Sequence, residues 1–185
     1  YLVDGKRDSN NLIQPPNNPI NGMPDNIATL GMDRLDFFED VLRDIRDSCK
    51  VQDIEVTAFS AEMGMGQYEI NLNHNTDCMK AADEVIMYKR LIKGVARKHG
   101  FDATFISKPY LDQPGNGMHI HVSMYDDQGN NQFALNDQVS LRHAVAGCLE
   151  TLPAAISILA ANPNAYRRFV AENAVATQVS WAFEN

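Results

Sequence analysis

Three short segments carry residues whose types and spacing suit a ligand site. The first is Ala61-Glu62-Met63-Gly64-Met65-Gly66-Gln67-Tyr68-Glu69-Ile70-Asn71-Leu72. Glu62 and Glu69 stand at the facing ends of two stretches that alternate like strands, and Gly64 and Gly66 let the backbone turn tightly between them. Two carboxylates held across such a turn offer hard oxygen ligands to one divalent cation. On spacing alone the commoner outcome is two surface carboxylates flanking a turn, so the weight falls on the neighbouring segments.

The second segment runs from Lys108 through Gly115, Asn116 and Gly117 to His119-Ile120-His121-Val122-Ser123. On the strand predicted over 117–125, His119, His121 and Ser123 lie two residues apart and share one face. Three polar groups on one side of an otherwise apolar strand are costly to bury unpaired, so that face is expected to line a polar cleft. The competing reading is a solvent-facing strand side. A neutral imidazole ligates a divalent metal or hydrogen-bonds a phosphate, and the preceding glycines allow close approach to the backbone. The third segment, Asn162-Pro163-Asn164-Ala165-Tyr166-Arg167-Arg168-Phe169, places two guanidinium groups just past a helix end. Their planar donor forks fit a carboxylate or phosphoryl group, although paired arginines more often decorate a surface. His74 is expected to be exposed, His99 to sit favourably at a helix C-terminus, and His143 to be structural. Met63, Met65, Met79 and Met87 lack the surroundings of a copper site and read as packing or loop residues.

These residues need elements to position them. Asn, Pro and Gly crowd Asp8–Asp25, which predicts a long loop. Leu35, Phe38, Leu42 and Ile45 predict one amphipathic helix from Asp33 to about Cys49, its other face filled by Asp and Arg. Strands are predicted over Ile54–Ser60 and Gln67–Leu72 around the Gly64–Gly66 turn. A helix follows from Thr76-Asp77 to His99, with Met79, Ala82, Val85, Ile86, Leu91 and Val95 as its apolar stripe and Gly100 closing it. Ala103–Lys108 and Gly117–Tyr125 read as strands, Asp126–Asn131 as a reversal, and Phe133 onward as a returning partner. Ser140 is the expected N-cap of a helix through Leu152, Pro153 begins another that ends before Asn162, and Val175–Phe183 reads as a last strand. The mixture has no regular strand–helix–strand rhythm, which indicates an α+β class with a mainly antiparallel sheet and disfavours a doubly wound nucleotide fold.

The bounds set by composition agree. With 185 residues, 44% of them hydrophobic and 22% charged, the chain suffices for one substantial core, and one domain is expected. A net charge of -8 and a pI near 5.0 disfavour nucleic acid as a partner, since binding polyphosphate needs clustered Lys and Arg. Cys49, Cys78 and Cys148 form no CxxC pair and read as buried, reduced thiols of a cytoplasmic protein. No run approaches the roughly twenty apolar residues of a bilayer span, so no membrane partner is expected. Tyr1-Leu2-Val3-Asp4-Gly5 reads as a strand, without a signal-peptide pattern or initiator Met, which suggests a piece of something longer.

In this order and at these intervals the three segments resemble the glutamine synthetase family: the Gly-Gln-x-Glu turn, the Gly-x-Gly-Met-His-x-His-x-Ser strand and the Asn-x-x-Tyr-x-Arg segment, with Met87-Tyr88-Lys89 inside the helix between the first two. The resemblance implies the central part of one catalytic domain of glutamine synthetase/guanido kinase-like fold, lacking the family's small N-terminal β domain and C-terminal end. It implies Glu62 and Glu69 as ligands of a metal (Mg2+ or Mn2+) facing glutamate, and His119 as a ligand of the metal at the nucleotide phosphates. It further implies His121 and Ser123 on the ATP side, Gly115 against the amino-acid substrate, and Arg168 on the glutamate carboxylate. The implied reaction is ATP-dependent ligation of ammonia or an organic amine to glutamate through γ-glutamyl phosphate, in a homo-oligomeric parent protein, the fragment itself being inactive.

Two departures bear on the amine. Where ammonia-using members carry a glutamate in a flap, equal spacing lands on Ala174, with Glu172 two residues earlier, and Pro114 replaces a substrate-contacting asparagine. Loss of a negative group that deprotonates ammonium favours a larger amine. The alternatives are a guanidino kinase, which arginine-dominated phosphate pockets would mark, a non-catalytic structural or regulatory relative, which would shed metal ligands, and a metal-binding module without ATP.

Overall fold

The computed structural model describes residues 1–25, 29–134, 138–169 and 181. They form two compact units, Tyr1–Asn116 and Gly117–Asn185. The predicted last strand, Val175–Phe183, lies outside the described residues except for Trp181, and so do Glu172 and Ala174.

The first unit contains β1 (Leu2–Asp4), α1 (Met32–Phe37), α2 (Glu39–Val51), β2 (Val56–Ala61), β3 (Tyr68–Leu72), α3 (Cys78–Lys98) and β4 (Phe101–Ala103). Its strands make two antiparallel pairs, β1 with β4 and β2 with β3, in keeping with an α+β class. The core lies where α2 meets α3. Phe38, Val41, Leu42, Ile45 and Cys49 pack with Tyr88, Leu91, Ile92, Val95 and Ala96, and Leu2, Ile54 and Ala103 close the edge. Burial of each large apolar side chain contributes about 1.5–3 kcal/mol.

Several predicted boundaries shift for identifiable reasons. The helix expected over Asp33–Cys49 is broken at Phe38, whose φ of -111° and ψ of 18° leave helical space while its ring is almost wholly buried. Phe38 nonetheless keeps its place on the buried stripe with Leu42 and Ile45, so the apolar pattern continues across the break. In α3 the buried stripe occupies only the C-terminal half, and Met79 and Ile86 are exposed. Its ends follow the sequence: Asp77 Oδ1 accepts hydrogen bonds from Met79 N at 2.9 Å and Lys80 N at 3.2 Å, and Gly100 has a φ of +80°. The strand predicted over Ala103–Lys108 stops at Ala103, because the chain turns when Ile106 N donates to Thr104 Oγ1 at 3.3 Å. The loop over Asp8–Asp25 is as expected, with one isolated bridge, Asn17 to Pro24.

The second unit contains α4 (Val139–Leu159) and α5 (Pro163–Tyr166). Two helices were expected in place of α4, but it runs unbroken through Pro153. A proline in a long helix removes one backbone bond, and the remaining ladder carries the helix across it. Ser140 is not the N-cap; Gln138 holds that position with a φ of +51° and no side-chain cap. Asp126–Asn131 reverses the chain as predicted, with Gly129 N donating to Asp126 O at 3.0 Å and Tyr125 bridging to Asn131. All three cysteines are free, but only Cys49 is buried, whereas Cys78 and Cys148 are exposed. No helix among the described residues is long and apolar enough to cross a membrane.

Candidate functional site

The β2–β3 hairpin brings the two candidate carboxylates together. Ser60 pairs with Glu69 and Ala61 with Tyr68, and Glu62 N continues the pattern by donating to Gln67 O at 2.9 Å. Opposed residues of an antiparallel pair share a face, so Glu62 and Glu69 occupy diagonal positions on one face, where neighbours stand roughly 7–8 Å apart and somewhat less at Cβ. Both are half-buried. Glu62 Oε2 accepts a 3.3 Å bond from Met63 N, while the Glu69 carboxylate has no hydrogen-bond or ion-pair partner among the described residues.

Buried polar groups hold the intervening turn from both edges. Arg34 Nη1 donates to Glu62 O at 2.7 Å, and Arg34 Nη2 donates to Gly64 O at 2.9 Å and to Asp25 Oδ2 at 2.6 Å. That same carboxylate oxygen accepts from Gly66 N at 2.6 Å. Gln67 contributes from within: its Oε1 accepts from Gly64 N at 2.9 Å, and its Nε2 donates to Gly115 O at 3.1 Å. Tyr1 lies directly beneath Gly64, where a Cβ would come within 2.1 Å of the phenolic oxygen, and that hydroxyl donates to Pro114 O at 2.5 Å.

Gly115, expected beside the amino-acid substrate, is therefore tied to the carboxylate hairpin through Gln67. The loop carrying it is closed by Asn116 N donating to Ser107 O at 2.8 Å and braced by Lys108 Nζ donating to Gln113 O at 2.6 Å. Burial pushes the Tyr1 phenol well above its ordinary range, reinforced by Tyr110 and opposed by Arg34. Tyr68 shifts the same way, through burial and Asp25. Tyr110 is pushed up to about 12 by burial. All three phenols are thus neutral at physiological pH.

In the second unit the expected strand over Gly117–Tyr125 is absent: residues 117–124 find no ladder partner among the described residues, and Tyr125 makes only its bridge to Asn131. His119, His121 and Ser123 are exposed, and so are Met118, Ile120 and Val122 between them. The expected polar face within an otherwise buried strand is therefore not formed by this unit. The unit does bring His119 and Arg168 together around Gly117. A Cβ there would stand 3.6 Å from Arg168 Nη2 and 3.9 Å from His119 Nε2. Arg168 Nε is buried and has no hydrogen-bond partner among the described residues, an unsatisfied donor. Asn162 presents this segment by capping α5, its Oδ1 accepting from Ala165 N at 3.1 Å.

The two hairpin carboxylates are oxygen donors of the kind a hard divalent cation takes, but no group of three or more His, Cys, Asp or Glu is assembled as a metal cage among the described residues. His74 and His143 are exposed, the second contrary to a structural role, and His99 Nε2 lies 2.8 Å from Asp44 Oδ2 beside the end of α3.

The family model described as glutamine synthetase, catalytic domain, matches residues 1–185. The chain belongs to the glutamine synthetase family. It is 38% identical over 191 residues to gamma-glutamylputrescine synthetase PuuA of Escherichia coli, covering 100% of this chain and 40% of that protein. It is 31% identical over 153 residues to glutamine synthetase of Pyrococcus horikoshii, covering 82% of this chain and 34% of the relative. Among solved structures, apo GmaS superposes with a TM-score of 0.75 at 24% identity over 91% of this chain and 39% of that one, a likeness of fold. A cryoEM structure of Plasmodium falciparum glutamine synthetase gives 0.66 at 25% identity over 72% of this chain and 26% of that one. The chain thus spans about 40% or less of the length of these relatives.

Sequence reasoning missed Arg34, Asp25 and Gln67. Arg34 was assigned with its helix neighbours to the solvent face, yet it is 0% exposed. Only the Gly-Gln-x-Glu pattern points towards Gln67; Arg34 and Asp25 carry no local signal, because the hairpin groups they hold lie 28 to 41 residues away and the two residues themselves are 9 apart in the chain.

Proposed function

We propose that the full-length protein is an ATP-dependent ligase that joins an amine to the γ-carboxylate of glutamate through γ-glutamyl phosphate. The observation that carries the reading is the hairpin that presents Glu62 and Glu69 on one face, with a buried network fixing the turn between them, in a chain of the glutamine synthetase family. In this reading the 185 residues are the central part of one catalytic domain in a cytoplasmic homo-oligomer.

Glu62 and Glu69 hold the Mg2+ or Mn2+ that faces glutamate, and His119 the one at the nucleotide phosphates. A bound divalent cation supplies neutralisation of charge on the transferring phosphoryl group. His121 and Ser123 line the ATP side. Gly115 offers its backbone to the amino acid, which Gln67 steadies through the Gly115 carbonyl. Arg168, whose Nε has no partner among the described residues, binds the glutamate carboxylate and orients the γ-carboxylate for attack on ATP.

The acceptor we favour is an organic amine. Support comes from the 38% identity to a gamma-glutamylputrescine synthetase against 31% to an archaeal glutamine synthetase, from Ala174 where ammonia-using members carry the flap glutamate, and from Pro114 in place of their substrate-contacting asparagine. The test is phosphate release from ATP by the full-length protein with glutamate and Mg2+ or Mn2+, comparing ammonium, putrescine and a simple monoamine. Release that favours an organic amine supports the proposal. Preference for ammonium refutes the acceptor assignment, and no glutamate-dependent release with any amine refutes the ligase reading.

A further inference from the structure

The Asp25–Arg34 pair is almost completely buried, with 4% and 0% exposure. A buried ion pair is seldom a better stabiliser than apolar packing of the same volume, because desolvation offsets its attraction. Arg34 Nε also lies buried with no partner among the described residues, a further cost. Stability therefore does not account for the pair, whereas its geometry relates directly to the carboxylate hairpin. The two Nη groups hold the carbonyls of Glu62 and Gly64, on either side of Met63, while Asp25 Oδ2 ties Gly66 N to the same guanidinium. With its N–H bonded to Gln67 O and its carbonyl to Arg34, Glu62 is fixed at both backbone polar groups. Its carboxylate then moves only through side-chain torsions. The Tyr68 ring, one residue before Glu69, faces the guanidinium at 5.6 Å, and its hydroxyl donates to Arg34 O at 3.4 Å, so one arginine touches the chain beside both carboxylates.

We infer that Asp25 and Arg34 are positioning residues that set the separation of the Glu62 and Glu69 carboxylates and thereby the affinity of the hairpin for a divalent cation. The inference rests on the proposed role of those glutamates as cation ligands. Lysine cannot replace Arg34, since a single ammonium does not reproduce the planar fork that reaches two carbonyls and a carboxylate together.

The experiment measures Mn2+ binding to the full-length protein by calorimetry, alongside the Mn2+ concentration for half-maximal phosphate release. Arg34→Lys and Asp25→Asn are expected to raise the Mn2+ Kd by about 10- to 100-fold, the usual range for groups that orient metal ligands. The half-maximal Mn2+ concentration should rise in parallel, with kcat recovered at saturating Mn2+. Ile45→Val, a core change away from the hairpin, controls for general destabilisation and should leave the Kd unaltered. An unchanged Kd in folded Arg34→Lys overturns the inference. If Arg34→Lys does not fold, the near-isosteric Asp25→Asn decides in the same way. Glu69→Gln separates the two levels: a wild-type Kd in that variant removes the cation site itself, while a weakened Glu69→Gln beside an unaffected Arg34→Lys removes only the positioning role.

Discussion

Gly66→Ala tests whether the turn between the two glutamates is held by close backbone packing. Gly66 has a φ of +73°, and a Cβ there would lie 2.5 Å from Leu2 O and 2.6 Å from Pro16 Cδ. Leu2 N itself donates to Gly66 O at 2.8 Å, so β1 cannot retreat without losing that bond. The left-handed dihedral costs about 1–2 kcal/mol for alanine, and forcing a methyl into packed atoms about 1–3 kcal/mol more. Gly22 provides the matched control, with a φ of +69° and no atom within 4 Å of its would-be Cβ. Gly22→Ala therefore carries only the dihedral cost, and carries it in another loop. The assay is native-state amide hydrogen exchange on peptides spanning Val56–Leu72 of the full-length protein, read at the amides of Glu62 and Gln67. At tenfold per 1.4 kcal/mol, a total of about 2–5 kcal/mol accelerates hairpin exchange by roughly 30- to 3,000-fold. Gly22→Ala should leave that peptide at the wild-type rate. Wild-type exchange in Gly66→Ala, or equal effects of the two variants on the hairpin, would refute the packing argument.

Three further outcomes are expected. Arg168→Ala should lower kcat/KM for glutamate by roughly 10- to 150-fold, as loss of charge-assisted hydrogen bonds would, and an unchanged glutamate response in steady-state kinetics removes Arg168 from the site. Ile45→Ala empties a position that is 1% exposed between α2 and α3, so stability should fall by about 2–5 kcal/mol with a lower melting temperature; an unaltered melt would show that this core does not limit stability. Burial raises the Cys49 thiol from an ordinary 9.0 to about 11. Because the folded state favours the neutral thiol, its contribution is complete below pH 9 and is lost as pH rises through 11. Iodoacetamide at pH 8 should leave Cys49 unmodified in the folded protein and alkylate it after denaturation, and labelling of native Cys49 would contradict the burial.

Much of the architecture was written in local residue choices. Asp77 and Gly100 mark the ends of α3 because capping and left-handed closure are decided within a few residues. Gly64 and Gly66 mark the hairpin for the same reason, and once the hairpin is granted, strand alternation puts Glu62 and Glu69 on one face. The Asp126–Asn131 reversal is equally local. Features that depended on distant partners were misread. Residues 117–124 have the alternation of a strand, but a strand needs a ladder partner, and alternation cannot supply one. The passage of α4 through Pro153 comes from the cooperativity of a long helix, which is not a property of the residue's immediate neighbours.

The sequence by itself determined the family, the three segments proposed to carry its chemistry, and the residue types available in them, because motif order and local turn chemistry survive without coordinates. Only the tertiary structure decided that Arg34 leaves the solvent face to pair with Asp25, that one carboxylate oxygen ties Gly66 to that guanidinium, and that Gln67 couples the carboxylate hairpin to Gly115. The reason is physical. A buried charge is tolerated only where donors and acceptors from separate elements converge on it, and that convergence exists only once the chain has folded.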